Sequence, residues 1–175
     1  MLAWSSITIS AKGDKVDDNH LSCDGPYVIY LPDGGVRVVS VTVAGEVKDT
    51  TYASLPDNFT LHVTDHEGNY PFDVRLHPVV RQEWKQSQAK KTFVMSDPHG
   101  RLNLVISLLQ ANGVIDSQLR WSYGDNQLVV IGDIFDRGYD VPQIFWLFYK
   151  LEAEAAECGG RVSVMLGNHE PMELA

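Results

Sequence analysis

Three short apolar runs in the second half of the sequence are each followed directly by a cluster of polar residues and glycines. The runs comprise residues 92–95, 128–131 and 162–166. Amphipathic helices are predicted between them, over residues 102–111 and 141–157, because apolar residues recur there at helical spacing. The helices are expected to stop at Asn112-Gly113 and Gly159-Gly160, since glycine commonly follows the last helical turn. Strands that alternate with helices in this way predict an α/β fold with a parallel βαβ sheet.

The polar clusters are expected to meet at one edge of this sheet. They are Ser96-Asp97-Pro98-His99-Gly100, residues 132–138 (GDIFDRG) and residues 167–170 (GNHE). The carboxyl ends of parallel strands lie along the same edge, and ligands bind in the crevice beyond them. The sequence therefore predicts a single site built from three distant segments.

The first half of the chain has a different character. Residues 27–31 and 36–43 are rich in β-formers and flank the turn signal Pro32-Asp33-Gly34-Gly35, which predicts a β-hairpin. Weaker strands are predicted at 60–63 and 72–76, around a turn at 65–69. We therefore divide the chain into a small antiparallel β unit (1–80), a polar linker or short helix (81–90) and the α/β segment (91–175).

The residue types in the three clusters suit a divalent metal ion. Asp97 and Asp133 offer carboxylate oxygens, His99 offers an imidazole nitrogen, and Asn168 offers a neutral carbonyl oxygen. Such mixed oxygen and nitrogen ligation favours Mn, Fe or Zn over calcium, which prefers oxygen alone. A carboxylate can bridge two metals about 3.5–4 Å apart, and such a pair activates a shared water and clamps a phosphoryl group.

Three further residues in these clusters suit the chemistry of a phosphate. The guanidinium of Arg137 carries a fork of donors that matches phosphate oxygens. The imidazole of His169 can protonate a leaving alkoxide, and the carboxylate of Asp136 can orient that imidazole. Arg137 in a structural ion pair with Asp133 or Asp136 is the alternative explanation.

The string DxHG, GDxxDRG, GNHE resembles the calcineurin-like metallophosphoesterase superfamily, especially its phosphoprotein-phosphatase branch. The resemblance covers about residues 91–175, and the blocks follow apolar strands at spacings of 36 and then 35 positions, counted from Asp97 to Asp133 to Asn168. Residues 167–174 also resemble the bacterial Shewanella-like phosphatases. Ser96 departs from the pattern, because the family usually has glycine there.

The resemblance implies a dinuclear metal site and a hydrolytic reaction. Asp97 and His99 would bind the first metal, Asp133 would bridge both metals, and Asn168 would bind the second. Arg137 and His169, with Asn168, would contact the substrate.

The implied reaction is in-line attack of a metal-activated hydroxide on a phosphate monoester of a phosphoprotein or small molecule. His169 would be the general acid, paired with Asp136, and no covalent enzyme intermediate would form.

The metal shell of this family also needs histidines after the GNHE block, whereas the sequence ends at Ala175. The remaining histidines all precede the first block: His20, His62, His66 and His77. We therefore expect a fragment of a longer protein or a truncated product, with an exposed sheet edge that favours self-association.

Two alternatives to the monoesterase remain open. One is a bis-nucleoside polyphosphate hydrolase, since these enzymes share the three blocks. The other is a catalytically incomplete fragment that acts only as a binding or structural unit.

Composition excludes some functions. The net charge of −9 gives no electrostatic gain on a nucleic-acid backbone, so a non-specific nucleic-acid binder is not expected. No apolar run approaches the ~20 residues that cross a bilayer, so no membrane partner is expected. No signal peptide is visible, so we expect a cytoplasmic protein, or a periplasmic or secreted one if a signal has been removed.

Three local expectations concern residues outside the predicted site. The turn around Asp65, with His62 and His66, is expected to be solvated. Glu170 is expected to be structural rather than a ligand. Cys23 and Cys158, 135 positions apart, are expected to be free thiols.

Overall fold

The structure, a computed structural model, describes residues 23–83 and 85–175. His20 and the start of the chain therefore lie outside the described residues. The first part contains five antiparallel strands: β1 (Asp24–Tyr30), β2 (Val36–Val41), β3 (Val47–Tyr52), β4 (Thr60–Val63) and β5 (Phe72–Arg75). Strands β1, β2 and β3 form one sheet in that order, and β4 pairs with β5.

The hairpin predicted from the turn signal is confirmed, since β1 pairs with β2 from Tyr30 and Val36 outward. The sequence did not indicate β3. Its residues are mostly polar and exposed, so the strand shows no alternation of apolar and polar positions. Backbone pairing with β2 and the contact of Arg37 Nε with Asp49 Oδ1 at 2.8 Å hold it in place.

The second part contains the predicted parallel sheet. Its elements are β6 (Thr92–Met95), α1 (Leu102–Ala111), β7 (Gln127–Val130), α2 (Val141–Glu157), β8 (Arg161–Val164) and α3 (His169–Leu174). Strands β6, β7 and β8 are hydrogen-bonded in this order and all run parallel. The α/β fold class is confirmed. The short helix α3 was not predicted, and the described residues between 81 and 90 form no helix.

Helices α1 and α2 bury one apolar stripe each in the core. In α1 the buried positions follow the spacing of one helical face: Leu102, Val105, Ile106 and Leu109. The same cluster of buried residues contains Leu128 and Val130 of β7 and Leu61, Val63, Phe72 and Val74 of β4 and β5. The β4–β5 pair therefore shares a core with the parallel sheet.

Helix α2 also forms hydrogen bonds to the antiparallel part of the chain. The indole N–H of Trp146 donates to the carbonyl of Pro26 at 2.7 Å, and the backbone N–H of His77 donates to the Tyr149 hydroxyl at 2.6 Å. Phe148 of α2 is 2% exposed and belongs to the core cluster.

The other face of the parallel sheet is open within the described residues. Val94 is 54% exposed, Ile131 45% and Val164 40%. Within the apolar run 92–95 only Met95 is buried, because successive side chains of a strand point to opposite faces of the sheet. None of the described helices combines the length and apolar character needed to cross a bilayer.

Candidate metal centre

The three polar clusters meet beyond the carboxyl ends of β6, β7 and β8. The backbone N–H groups of Asp97, His99 and Gly100 donate to the carbonyls of residues 132, 133 and 134 at 3.1, 3.1 and 2.8 Å. The backbone N–H of His169 donates to Asp133 Oδ1 at 3.0 Å. The cluster after β7 is thus bonded to both of its neighbours, which is the convergence that the strand order predicts.

Two pairs of glycines allow this close crossing of backbones. A Cβ added to Gly132, where φ is +83°, would lie 1.9 Å from the nitrogen of Gly167. A Cβ added to Gly100 would lie 2.5 Å from the carbonyl oxygen of Gly138. Both distances are far below van der Waals contact, so these glycines allow the loops to pack against one another.

The donor groups of three residues lie together at the centre of the site. One ligand atom from each of His99, Asp133 and His169 lies within 4.8 Å of the others. Asp97 Oδ2 lies 4.0 Å from His99 Nε2. His99 is 6% exposed, and its Nδ1 lies 2.7 Å from the carbonyl oxygen of Phe135.

That contact assigns the proton of His99 to Nδ1, because a carbonyl oxygen can only accept. Nε2 then keeps its lone pair, 4.0 Å from Oδ2 of Asp97. At metal sites, a histidine that binds the metal through one ring nitrogen usually donates the N–H of the other to an oxygen, which fixes the ring orientation. The residues present therefore fit a divalent cation with mixed oxygen and nitrogen ligands.

His169 and Asp136 are in direct contact. A short hydrogen bond joins His169 Nδ1 to Asp136 Oδ2, and the His169 ring meets the His99 ring edge-on with centroids 4.7 Å apart. Asp136 can thus fix the orientation of the imidazole. The position of His169 is compatible with a proton donor and also with a metal ligand.

Two predicted site residues have a less defined environment. Asn168 immediately precedes α3 with φ of −84°. Arg137 is exposed, and within residues 23–83 and 85–175 it forms no ion pair with Asp133 or Asp136. Both residues lie in the loops that converge at the site.

The backbone is strained at most predicted site residues. Positive φ values occur at Asp97 (+53°), His99 (+41°), Asp133 (+56°), Asp136 (+70°) and Arg137 (+68°). Such conformations cost about 1–3 kcal/mol each outside glycine and persist where the surrounding structure enforces them. The only other described non-glycine residue with positive φ is Leu119. Strain is thus concentrated in the two loops that follow β6 and β7.

Glu170 is the residue that sequence reasoning placed outside the site but that contacts it most extensively. It is 1% exposed. Its carboxylate accepts the backbone N–H groups of Asp133 (2.9 Å), Ile134 (2.6 Å), Phe135 (3.4 Å) and Gly167 (2.6 Å). Burial alone would raise the pKa of Glu170, yet the four donors together hold it below its usual range.

The expectation of a solvated turn between β4 and β5 was wrong for two of its residues. Asp65 is 3% exposed, and the backbone N–H and Nδ1 of His66 lie 2.8 and 2.9 Å from Asp140 Oδ1. The His66 ring also packs beside that of Tyr139, with centroids 5.0 Å apart. His62 does lie at the surface, where it pairs with Asp73. The β4–β5 turn thus borders the loop that carries Asp136 and Arg137.

Both cysteines are free thiols, as expected. Cys23 is buried and Cys158 is exposed.

The parallel sheet and the acidic and imidazole groups at its strand ends match the arrangement that the resemblance to metallophosphoesterases implies. Residues 90–175, about half of the chain, match the family model described as calcineurin-like phosphoesterase. The resemblance noted from the three sequence blocks is confirmed.

Similar proteins carry phosphatase names. The chain is 35% identical over 85 residues to Shewanella-like protein phosphatase 2 of Arabidopsis thaliana, which covers 49% of this chain and 22% of that protein. It is 36% identical over 85 residues to Shewanella-like protein phosphatase 1 of Plasmodium berghei, covering 48% and 23%. The chain thus spans less than a quarter of the length of these two relatives.

A solved structure extends the likeness to the antiparallel part. The crystal structure of a cold-active protein-tyrosine phosphatase of a psychrophilic Shewanella species is 32% identical with a TM-score of 0.72. The match covers 87% of this chain and 45% of that one. Because residues 90–175 are only about half of the chain, the matched fold includes much of residues 23–89.

Proposed function

We propose that this protein hydrolyses a phosphate monoester with the help of divalent metal ions bound beyond the carboxyl ends of β6, β7 and β8. The observation that carries the proposal is the convergence of His99, Asp133 and His169, whose donor atoms lie within 4.8 Å of one another. The match of residues 90–175 to the calcineurin-like phosphoesterase family model supports it. Because the chain covers less than a quarter of the length of its two phosphatase relatives, the activity of the whole protein is itself part of this proposal.

Two divalent ions, Mn, Fe or Zn, are proposed at this site. Asp97 and His99 would hold the first, Asp133 would bridge, and Asn168 would hold the second. The donor set supports the choice, since carboxylates, an imidazole and an amide oxygen suit these metals. Bound ions of this kind make water nucleophilic near neutral pH and neutralise phosphate charge.

The side chains around the metals have separate proposed roles. Arg137 would bind the phosphate oxygens, and its exposed guanidinium without an ion pair to Asp133 or Asp136 is free to do so. His169 would donate a proton to the leaving oxygen from Nε2, because its Nδ1 is bonded to Asp136. Asp136 would hold the ring in that orientation.

The proposed substrate is a phosphorylated protein or a small monoester. Similar proteins are named protein phosphatases, and one is a protein-tyrosine phosphatase, which supports a phosphoprotein substrate. A cytoplasmic location and self-association through the edge of the parallel sheet stay predictions. Cell fractionation and sedimentation of the purified chain would test them.

The test is a substrate panel with added Mn²⁺: p-nitrophenyl phosphate, a phosphotyrosine peptide and a dinucleoside tetraphosphate. The chain is compared with Asp133→Asn and with the control Asp125→Asn, whose carboxylate pairs with Lys90 before β7. We expect monoester hydrolysis that Asp133→Asn lowers about 100-fold or more and Asp125→Asn leaves unchanged.

Two other outcomes would overturn the proposal. Preference for the dinucleoside substrate would favour the polyphosphate hydrolase. Turnover no higher than that of Asp133→Asn would favour a catalytically incomplete unit.

A further inference from the structure

The carboxylate of Glu170 connects two of the three loops at the candidate metal centre. Its Oε1 accepts the N–H groups of Ile134 and Phe135, and its Oε2 accepts those of Asp133 and Gly167. Each oxygen therefore has two backbone donors, and the side chain is 1% exposed. With its oxygens occupied in this way, the carboxylate serves the backbone rather than a metal ion.

We infer that Glu170 is a positioning residue that sets the metal affinity of the site by fixing the loop after β7 against the loop after β8. The inference rests on the proposed function, because it concerns how the proposed ligands are held. Asp133 lies in the loop after β7 and Asn168 lies in the loop after β8. Each of these loops donates backbone hydrogen bonds to Glu170. Backbone N–H groups bonded to an ionised carboxylate form stronger hydrogen bonds than neutral pairs.

The strained backbone explains why such a contact is needed. Asp133 has φ of +56°, and an unrestrained aspartate rarely stays in this conformation. The hydrogen bonds that Glu170 accepts from the N–H groups of residues 133, 134 and 135 hold three consecutive peptides after β7. They also leave the Asp133 side chain free, apart from the 3.0 Å bond it accepts from His169 N–H. Glu170 therefore acts on the proposed ligand through its backbone.

The substitution Glu170→Gln tests this arrangement with little change in shape. A glutamine amide places an NH₂ group, which can only donate, against two backbone donors. The matched control is Glu173→Gln in the same short helix, where the side chain is exposed. Glu170→Asp keeps the charge but shortens the side chain by one methylene, so it can reach one loop but not both.

The first readout needs no metal and no activity. Amide hydrogen exchange of the metal-free chain is measured by NMR at residues 133, 134, 135 and 167. Glu170→Gln is expected to lose protection at these amides at least about 10-fold, while amides in α1 and α2 keep theirs and Glu173→Gln matches the wild type. Unchanged protection at residues 133–135 in Glu170→Gln would overturn the inference.

The second readout is Mn²⁺ affinity by calorimetry. Loss of a residue that orients metal ligands typically weakens binding about 10–100-fold, and we expect that loss for Glu170→Gln and none for Glu173→Gln. Wild-type affinity in Glu170→Gln would overturn the inference and leave the proposed function intact. No Mn²⁺ binding by the wild type would contradict the proposed function, and the exchange measurement would still decide whether Glu170 holds the two loops.

If Glu170→Gln does not fold, Glu170→Asp takes its place. We then expect lost protection in one of the two loops and an affinity between those of the wild type and of Asp133→Asn. Full wild-type affinity in Glu170→Asp with protection lost would contradict the inference.

Discussion

Nδ1 of His66 lies 2.9 Å from Oδ1 of Asp140, although the two residues are 74 positions apart in the chain. Asp140 is 3% exposed, and its backbone N–H donates to the carbonyl of Gly100 at 2.9 Å. One residue thus joins the β4–β5 turn, the start of α2 and the loop after β6. The antiparallel strands are part of the support of the candidate metal centre.

This contact predicts a loss of stability when His66 is removed. His66→Ala removes the imidazole contact of the buried Asp140 carboxylate but keeps the hydrogen bond from the backbone N–H of residue 66. A hydrogen bond to a charged group typically contributes about 1–3 kcal/mol. We therefore expect the free energy of unfolding, measured in urea, to fall by about 1–2 kcal/mol.

His62→Ala is the matched control, because His62 also pairs with an aspartate but lies at the surface with Asp73. Exposed ion pairs contribute little, so its stability should equal that of the wild type within error. Equal losses for the two variants would contradict the claim that the His66 contact is special.

The crossing of Gly132 and Gly167 predicts a much larger effect. Gly132→Ala would place a methyl group 1.9 Å from the nitrogen of Gly167, and backbone atoms cannot move aside cheaply. Overpacking of a tightly packed region and a strained φ each cost about 1–3 kcal/mol. We expect a loss of about 3 kcal/mol or more in urea unfolding, or failure to fold.

Gly45→Ala separates the two causes. Gly45 has φ of +78°, close to that of Gly132, but no described atom lies near its Cβ position. In Gly45→Ala only the cost of the strained backbone should remain, which lowers the free energy of unfolding by about 1 kcal/mol. If both variants lose the same amount, close approach of the loops is not the reason for the glycine at position 132.

The two thiols are expected to differ in reactivity. Burial, followed by the carboxylates of Asp24, Asp65 and Asp140, raises the pKa of the Cys23 thiol above its ordinary value of 9.0. The thiolate is the reactive form, so iodoacetamide at neutral pH should modify exposed Cys158 first and Cys23 only after unfolding. Mass spectrometry of the labelled peptides measures the order, and rapid labelling of native Cys23 would contradict it.

The same pKa shift predicts a pH effect on stability. The unfolded thiol ionises near its ordinary pKa while the folded thiol stays protonated, so the unfolded state releases its proton first. The free energy of unfolding should therefore fall as the pH rises through about 9. The fall should be smaller in Cys23→Ser than in Cys158→Ser, as urea unfolding at pH 8 and pH 10 would show.

The sequence was informative where local patterns decide structure. Helices α1 and α2 have the predicted bounds because a stripe of apolar residues at helical spacing ends at a glycine in each. The parallel order of β6, β7 and β8 follows from the intervening helices. The polar strand β3 was not predicted, because it is a strand through its pairing with β2 and not through the β-propensity of its own residues.

The residue types of the site and its position at the sheet edge were predictable, but the contacts that support it were not. Residue types identified Asp97, His99, Asp133 and His169 as candidates, and the strand order brought them together. The contacts of Glu170 and His66 could not be foreseen, because their partners are backbone N–H groups and a carboxylate far away in sequence. Such contacts depend on how the loops cross, which no local periodicity encodes.

The central claim, that the three strand-end clusters form a divalent metal site, is tested most directly by Mn²⁺ titration of the purified chain. Calorimetry and elemental analysis would give the affinity and the number of ions bound by the wild type, Asp133→Asn and Asp125→Asn. We expect the wild type and Asp125→Asn to bind Mn²⁺ equally and Asp133→Asn to lose most of the binding. A wild type that binds no more Mn²⁺ than Asp133→Asn would contradict it.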